Sequence, residues 1–231
     1  MSSFFKRIMS IKENVGIKLI VFDFDGTLAD TRELMLRIIK KHLIAFEISL
    51  TKDLVRFFGN TPLEEYITLT GIPSKLVKSV CAGIHDDFSK EYHKIKSCKN
   101  LMAIKNINVR KVIVTNNVTF FVEKALNFLN ANFFDKIYGV DKFSPNSKPW
   151  IIDKIRKKYG FERNEVMYVG DKDIDVDVAR NTGAYSVVIG SKTSWSSRKA
   201  IALKKPDYLI SDLSKVLEIV RQINSEQLAP V

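Results

Sequence analysis

Five short apolar runs, separated by helical patterns, constrain this chain more than any other feature. They are Lys18–Phe24 (KLIVFDF), Lys111–Thr115 (KVIVT), Glu165–Val169 (EVMYV), Tyr185–Ile189 (YSVVI) and Asp207–Ile210 (DYLI). Their near-continuous apolar character is what strands buried on both faces require. Helical patterns cover Thr119–Ala131, Trp150–Tyr159, Asp175–Thr182 and Leu213–Ile223. Strands alternating with helices predict an α/β fold: a Rossmann-like, mostly parallel sheet with helices on both faces. In such sheets ligands bind beyond the carboxyl ends of the strands. The chain's polar clusters fall in the segments that follow those ends.

Residues 31–97 break the rhythm. Leu34, Leu36, Ile38, Ile39, Leu43 and Phe46 share one helical stretch, helical patterns resume over Leu63–Leu69 and Leu76–Tyr92, and no convincing strand is visible. Pro62 and Pro73 suit helix starts, where a missing amide hydrogen costs little. The expected organisation is therefore a leader over 1–14, an α/β core over 15–30 and 98–231, and an inserted all-helical cap over 31–97. The tail Ser225–Val231 reads as frayed.

The 231 residues suffice for one ordinary domain with such an insertion. Lys and Arg outnumber Asp and Glu by 37 to 26, a formal charge of +11, which concentrates anions such as phosphate esters near the surface. The lysines are scattered, as on a solvated surface, rather than run together. Two cysteines, Cys81 and Cys98, show no metal-ligand spacing, so a reducing cytoplasm is the expected compartment. No apolar stretch reaches the roughly 18 to 20 residues of a membrane span, and a membrane is not an expected partner.

The chemistry concentrates in two acidic segments. In Asp23-Phe24-Asp25-Gly26-Thr27, strand alternation sends both carboxylates to one side and Phe24 to the other. Neighbouring carboxylates repel, and a cation between them relieves the repulsion. Gly26 lets the chain turn and lets amides approach an anion. In Gly170-Asp171-Lys172-Asp173-Ile174-Asp175, carboxylates again crowd the end of an apolar run, which is costly unless a metal or solvent compensates. Asp175 would also sit at a helix start, where it can cap free amides.

These segments resemble the motifs of the haloacid dehalogenase superfamily, in its phosphoglycolate-phosphatase-like branch with a helical cap. Asp23-Phe-Asp25-Gly-Thr27 matches its DxDGT motif, Thr115-Asn116 its strand-end hydroxyl, Lys148-Pro149 its lysine, and Gly170-Asp171 with Asp175 its final acidic motif. The four follow in order across nearly the whole chain. The resemblance implies a Mg2+-dependent phosphatase acting on a small phosphorylated metabolite. Asp23 is then the nucleophile that forms an aspartyl-phosphate, and Asp25 the acid and base. Thr115 and Lys148 complete the catalytic set, while Gly26, Thr27, Thr115, Asn116 and Lys148 bind the phosphoryl group. Metal ligation falls to Asp23, Asp25 (through its backbone carbonyl) and Asp171, with Asp175 supporting them or ligating directly. An acid at position 25 favours phosphate esters over halides, although phosphomutases of the superfamily also carry one, so a mutase stays open.

The resemblance also makes 31–97 the helical cap, with Arg56, Gly59, Asn60 and Thr61 as candidates for facing the site, and Phe57, Phe58 and Tyr66 as cap interior. Two segments depart from the pattern: Ser97–Asn108 lacks the usual Pro-Gly, and Lys192–Lys199 (KTSWSSRK) replaces the usual loop after a strand. A receiver domain uses similar residues in another order and about half this length. A silent nucleic-acid-binding relative is the other alternative, but no aromatic-basic motif supports it, so nucleic acid is not an expected partner. Physiological substrate and oligomeric state stay open.

Overall fold

The computed structural model describes residues 16–58, 61–141 and 148–226; the side chains of Arg56 and Glu226 lie outside that description. The expected leader, Gly59, Asn60 and the end of the tail fall outside it as well. Six strands form one sheet: β1 (Leu19–Phe22), β4 (Arg110–Val114), β5 (Lys136–Tyr138), β6 (Val166–Gly170), β7 (Tyr185–Ile189) and β8 (Tyr208–Ile210). Their order is β5-β4-β1-β6-β7-β8 and every pairing is parallel. The chain builds outward from β1 through β4 to β5, then crosses back to β6 on the other flank. Such a reversal opens a crevice at the carboxyl ends of the central strands. Asp23, Thr115 and Asp171 each directly follow one of the three central strands, β1, β4 and β6.

Alternation along β1 divides the core into two layers. Ile20 and Phe22 join Phe121, Val122, Leu126, Val216 and Ile223, from α5 (Thr119–Phe128) and α9 (Ser214–Glu226). Leu19 and Val21 face Ile151, Ile152 and Ile155 of α6 (Lys148–Lys158) and Ala179 of α7 (Asp173–Thr182). Phe24 continues the first layer, edge-on to Phe121 with ring centroids 6.2 Å apart. Side chains at 20, 22 and 24 therefore go one way. Asp23 shares the opposite parity with Leu19 and Val21, the side covered by α6, which begins at Lys148.

Between β1 and β4 lie α1 (Arg32–Ile44), α2 (Lys52–Phe57), α3 (Leu63–Leu69) and α4 (Ser74–Lys90). Their buried residues are continuous with those of the sheet, for example where the Phe88 ring meets Phe121 at 4.4 Å. The absence of strands expected over 31–97 needs one correction. Ala29–Asp30 (β2) pairs antiparallel with Lys96–Ser97 (β3), so the chain leaves and re-enters through a two-residue ribbon too short to show as a pattern. Phe58 and Tyr66 are buried as expected, but Phe57 is 57% exposed. Phe57 ends α2 and Phe58 continues in extended backbone, so the two rings point in different directions.

Two helices start earlier than their apolar patterns indicate. The helix expected from Trp150 starts at Lys148, with Pro149 in its first turn. That from Asp175 starts at Asp173 and closes on Gly183 in the left-handed conformation. Among the described residues, no helix is long and apolar enough to cross a membrane.

Candidate active site

Asp23 is buried at the end of β1, its Oδ1 accepting the backbone N–H of Phe24 at 2.8 Å and its Oδ2 2.7 Å from the Lys148 ammonium. Burial works to raise its pKa, but the charges of Lys148 and Lys172 outweigh it and hold Asp23 below the usual carboxylate range. Lys148 also donates to Tyr168 Oη at 3.2 Å, and that hydroxyl donates to Asp175 Oδ1 at 3.0 Å. The three form a buried line across the β6 end. Burial and then Asp175 push the Tyr168 phenol well up, so it stays a neutral donor.

Asp25 is only part-buried, and both its oxygens are engaged: Thr31 Oγ1 donates to one at 2.7 Å and Asn117 Nδ2 to the other at 2.6 Å. Desolvation and the neighbouring Asp23 charge raise its pKa to about 6. Two carboxylates one residue apart thus have opposite tendencies. One is stabilised as an anion, and the other holds its proton closer to neutral pH.

Asp171 is completely buried. Trp195 donates its backbone N–H to Oδ2 at 2.6 Å, and Thr27 Oγ1 donates to Oδ1 at 3.2 Å. Asp175 caps α7: its Oδ2 accepts the N–H groups of Asp171 at 3.0 Å and Lys172 at 2.8 Å. Gly170 makes this possible, because a Cβ there would collide with the Asp175 carboxylate. Gly26 has φ +72°, and a Cβ on it would overlap the Asp171 carboxylate and lie 2.5 Å from Trp195 Cδ1. The turn of the first acidic segment is thereby fitted against the second.

Single oxygens of Asp23, Asp171 and Asp175 all lie within 4.8 Å of one another. Burial, chiefly, raises the pKa of Asp171 well above the ordinary value and raises that of Asp175. Four carboxylates here face two buried ammonium groups, Lys148 and Lys172. An all-oxygen donor set with surplus negative charge fits a hard divalent cation such as Mg2+. Lys172 is itself raised: burial opposes its charge, but the surrounding carboxylates, Asp23 first, outweigh that.

The structure brings Asp23, Asp25, Gly26, Thr27, Thr115, Lys148, Asp171 and Asp175 to one end of the sheet. Thr115 is fully buried and its Oγ1 accepts the Asn117 N–H at 3.1 Å, leaving its own proton to donate elsewhere. Thr27, expected at the phosphoryl group, instead turns its hydroxyl to Asp171. Asn116, expected beside it, is exposed, and Asn117 faces the site in its place. Residues two apart after a strand share a side, so position 117 follows Thr115 inward while 116 points out. The Asp25 side chain stands outside the three-carboxylate cluster. Sequence reasoning missed Asn117, Lys172, Tyr168 and Thr31. Only the alternation from Thr115 carried a signal, and that was for Asn117.

Fold and site together define an α/β protein with a carboxylate-lined crevice at the carboxyl ends of its central strands. A model described as haloacid dehalogenase-like hydrolase matches residues 20–189, and the chain belongs to that family. It is 26% identical over 225 residues to a phosphoglycolate phosphatase of Vibrio cholerae, covering 89% of this chain and 97% of the relative. It is 25% identical over 223 residues to the pyrophosphatase PpaX of Bacillus mycoides, covering 90% and 99%. Among solved structures, a haloacid dehalogenase-like hydrolase from Streptococcus pneumoniae superposes with a TM-score of 0.75 at 20% identity, covering 88% of this chain and 98% of that one.

Proposed function

We propose that this chain is a Mg2+-dependent phosphatase that releases inorganic phosphate from a small phosphorylated metabolite through an aspartyl-phosphate on Asp23. The observation that carries the reading is the buried Asp23 carboxylate, 2.7 Å from Lys148 and within metal-sharing distance of Asp171 and Asp175. An Asp23 oxygen bonds to phosphorus as the bond to the leaving oxygen breaks, and Asp25 gives that oxygen its proton. Asp25, now ionised, takes a proton from water as the water attacks phosphorus. The Asp23–phosphorus bond breaks and phosphate departs. Lys148 offsets charge on Asp23 and on the phosphoryl oxygens, and the Thr115 hydroxyl donates to one of them.

Asp23, Asp171 and the Asp25 carbonyl are the proposed ligands of Mg2+, which when bound neutralises charge on the phosphoryl group. Asp175 accepts three hydrogen bonds, two of them from backbone N–H groups on Oδ2, against two on Asp171, which favours a supporting role for Asp175. The segment α1–α4 acts as a lid over the crevice, hinged at the β2–β3 ribbon, and chooses the leaving group. The names of the relatives make phosphoglycolate and pyrophosphate the first substrates to try. Two unpaired, buried cysteines suit a cytoplasmic setting.

The test is phosphate release from a panel of phosphomonoesters with and without Mg2+. Asp23→Asn should lose turnover, and undiminished activity in that variant at full metal occupancy would rule out the covalent route. Transfer of phosphate to an acceptor with no net release would identify a mutase instead.

A further inference from the structure

Part of the +11 charge is gathered on one flank of the molecule, formed by α6 and the starting ends of β4 and β5. Arg110, Lys136, Lys154, Arg156, Lys157 and Lys158 stand there against Asp135 and Asp153, an excess of four positive charges. Asp153 is taken up by Arg156 at 2.7 Å and Lys157 at 2.6 Å, and Asp135 lies 3.6 Å from Arg110. Lys136, Lys154 and Lys158 are exposed and make no ion pair among the described residues.

Aromatic rings hold these cations in place. The Lys154 ammonium lies 4.9 Å from the centre of the Trp150 ring, and Lys158 lies 5.8 Å from that of Tyr159. The Arg110 guanidinium sits 4.1 Å over the same Tyr159 ring, and Lys136 is 5.1 Å from that of Tyr138. Trp150, Lys154 and Lys158 follow one another at four-residue spacing, so they form a ridge about 12 Å long on α6. Tyr159 and Arg110 carry it on toward the sheet edge. The apolar contacts of α6 with the sheet are made by Ile151, Ile152 and Ile155, all buried, whereas Trp150 is 58% exposed. The indole is therefore not needed for the core.

We propose that this flank binds single-stranded nucleic acid, with a base stacked on Trp150 and phosphates on Lys154, Lys158 and Lys136. An exposed ring set among unpaired cations suits a ligand that offers π-faces and a regular anionic backbone together. An anionic membrane fits less well, because it takes up a helix through an apolar face, and α6 has turned that face to the sheet. No contiguous motif betrays the surface in the sequence, since the fold assembles it from positions 110, 136 and 150–159. The proposal is independent of the phosphatase reading and adds a second binding surface to it.

The test is fluorescence anisotropy of a labelled oligothymidylate of about 20 nucleotides, long enough to cover the ridge, titrated with the full chain over a range of salt. Three lysines on phosphates predict a slope of log K against log salt of about −2, at roughly 0.7 per phosphate on a single strand. Lys154→Gln and Lys158→Gln should each make that slope shallower by about 0.7, while Lys75→Gln on α4 should leave it unchanged. Trp150→Ala should weaken binding about 10-fold at fixed salt, the scale of one lost stack, and Trp150→Phe much less. Thermal melting checks that each variant is folded, and the lysine variants carry the test if Trp150→Ala is not. No binding by the wild type overturns the proposal, as does an equal effect of Lys75→Gln or, in a folded Trp150→Ala, unchanged affinity. Tighter binding to phosphatidylserine vesicles or to heparin than to the oligonucleotide also overturns it, in favour of a membrane or of a general polyanion.

Discussion

Replacing Gly26 by Ala tests how tightly the two acidic segments are fitted together. Gly26 occupies the left-handed region at φ +72°, and its missing Cβ is the space taken by the Asp171 carboxylate and Trp195 Cδ1. An L-residue held at that φ costs about 1–2 kcal/mol. Forcing a methyl group into a filled space adds roughly 1–3 kcal/mol. The sum, about 2–5 kcal/mol, corresponds to a fall in melting temperature of roughly 4–20 °C for a chain of this size. The methyl cannot be accommodated in place, because its neighbours are a buried carboxylate and a ring held by the backbone bond between them. Asp171 must therefore move, by about 1 Å to restore van der Waals contact, and a misplacement on that scale is worth about 100-fold in rate. Steady-state kinetics on the best phosphomonoester, Mg2+ titration by calorimetry and thermal melting measure the three effects. Gly26→Ala retaining kcat within threefold and unchanged Mg2+ affinity would refute the argument that Gly26 positions Asp171.

Asp25→Ala should lower kcat by about 10²–10⁴ on an alkyl phosphate and far less on p-nitrophenyl phosphate, whose leaving group needs no proton; equal losses on both would remove Asp25 from the acid role. Asp171 and Asp175 have raised pKa values in the metal-free protein, so Mg2+ binding should release protons and weaken as pH falls; calorimetry in buffers of different ionisation enthalpy reads this directly. Asp212 is held below the ordinary carboxylate range first by the Ser214 hydroxyl and then, against burial, by Asn100. A depressed folded pKa contributes stability above the unfolded value of about 3.9 and loses it as pH drops below that. Asp212→Ala should accordingly cost about 1–3 kcal/mol at neutral pH, with the gap to wild type narrowing in acid unfolding curves below about pH 4.

The parts of the molecule legible in the sequence are those where one physical rule acts alone. Strands β1, β4, β6 and β7 are buried on both faces, so their apolar runs mark them to within a residue or two. β5 escaped notice because it is a three-residue edge strand with Lys136 exposed, and an edge carries no continuous apolar signal. The β2–β3 ribbon is two residues long and owes its existence to the chain crossing itself. Within the site, the acids were visible because crowded carboxylates are costly without a purpose. Lys172 was not, since a lysine among aspartates reads as solvated; only the fold shows it buried beneath four of them. Tyr168 looked like one more strand residue, and its hydroxyl acquires meaning only when Lys148 and Asp175 arrive from α6 and α7.

The claim on which the rest depends is that Asp23 itself becomes phosphorylated. Acid-quenching the enzyme during turnover, reducing it with borohydride and sequencing the peptides by mass spectrometry would locate any acyl phosphate, because reduction converts that aspartate to homoserine. The account predicts homoserine at position 23, dependent on both substrate and Mg2+ and absent at Asp25, Asp171 and Asp175. Rapid phosphate release with Asp23 recovered intact, or homoserine at another of these positions, would contradict it.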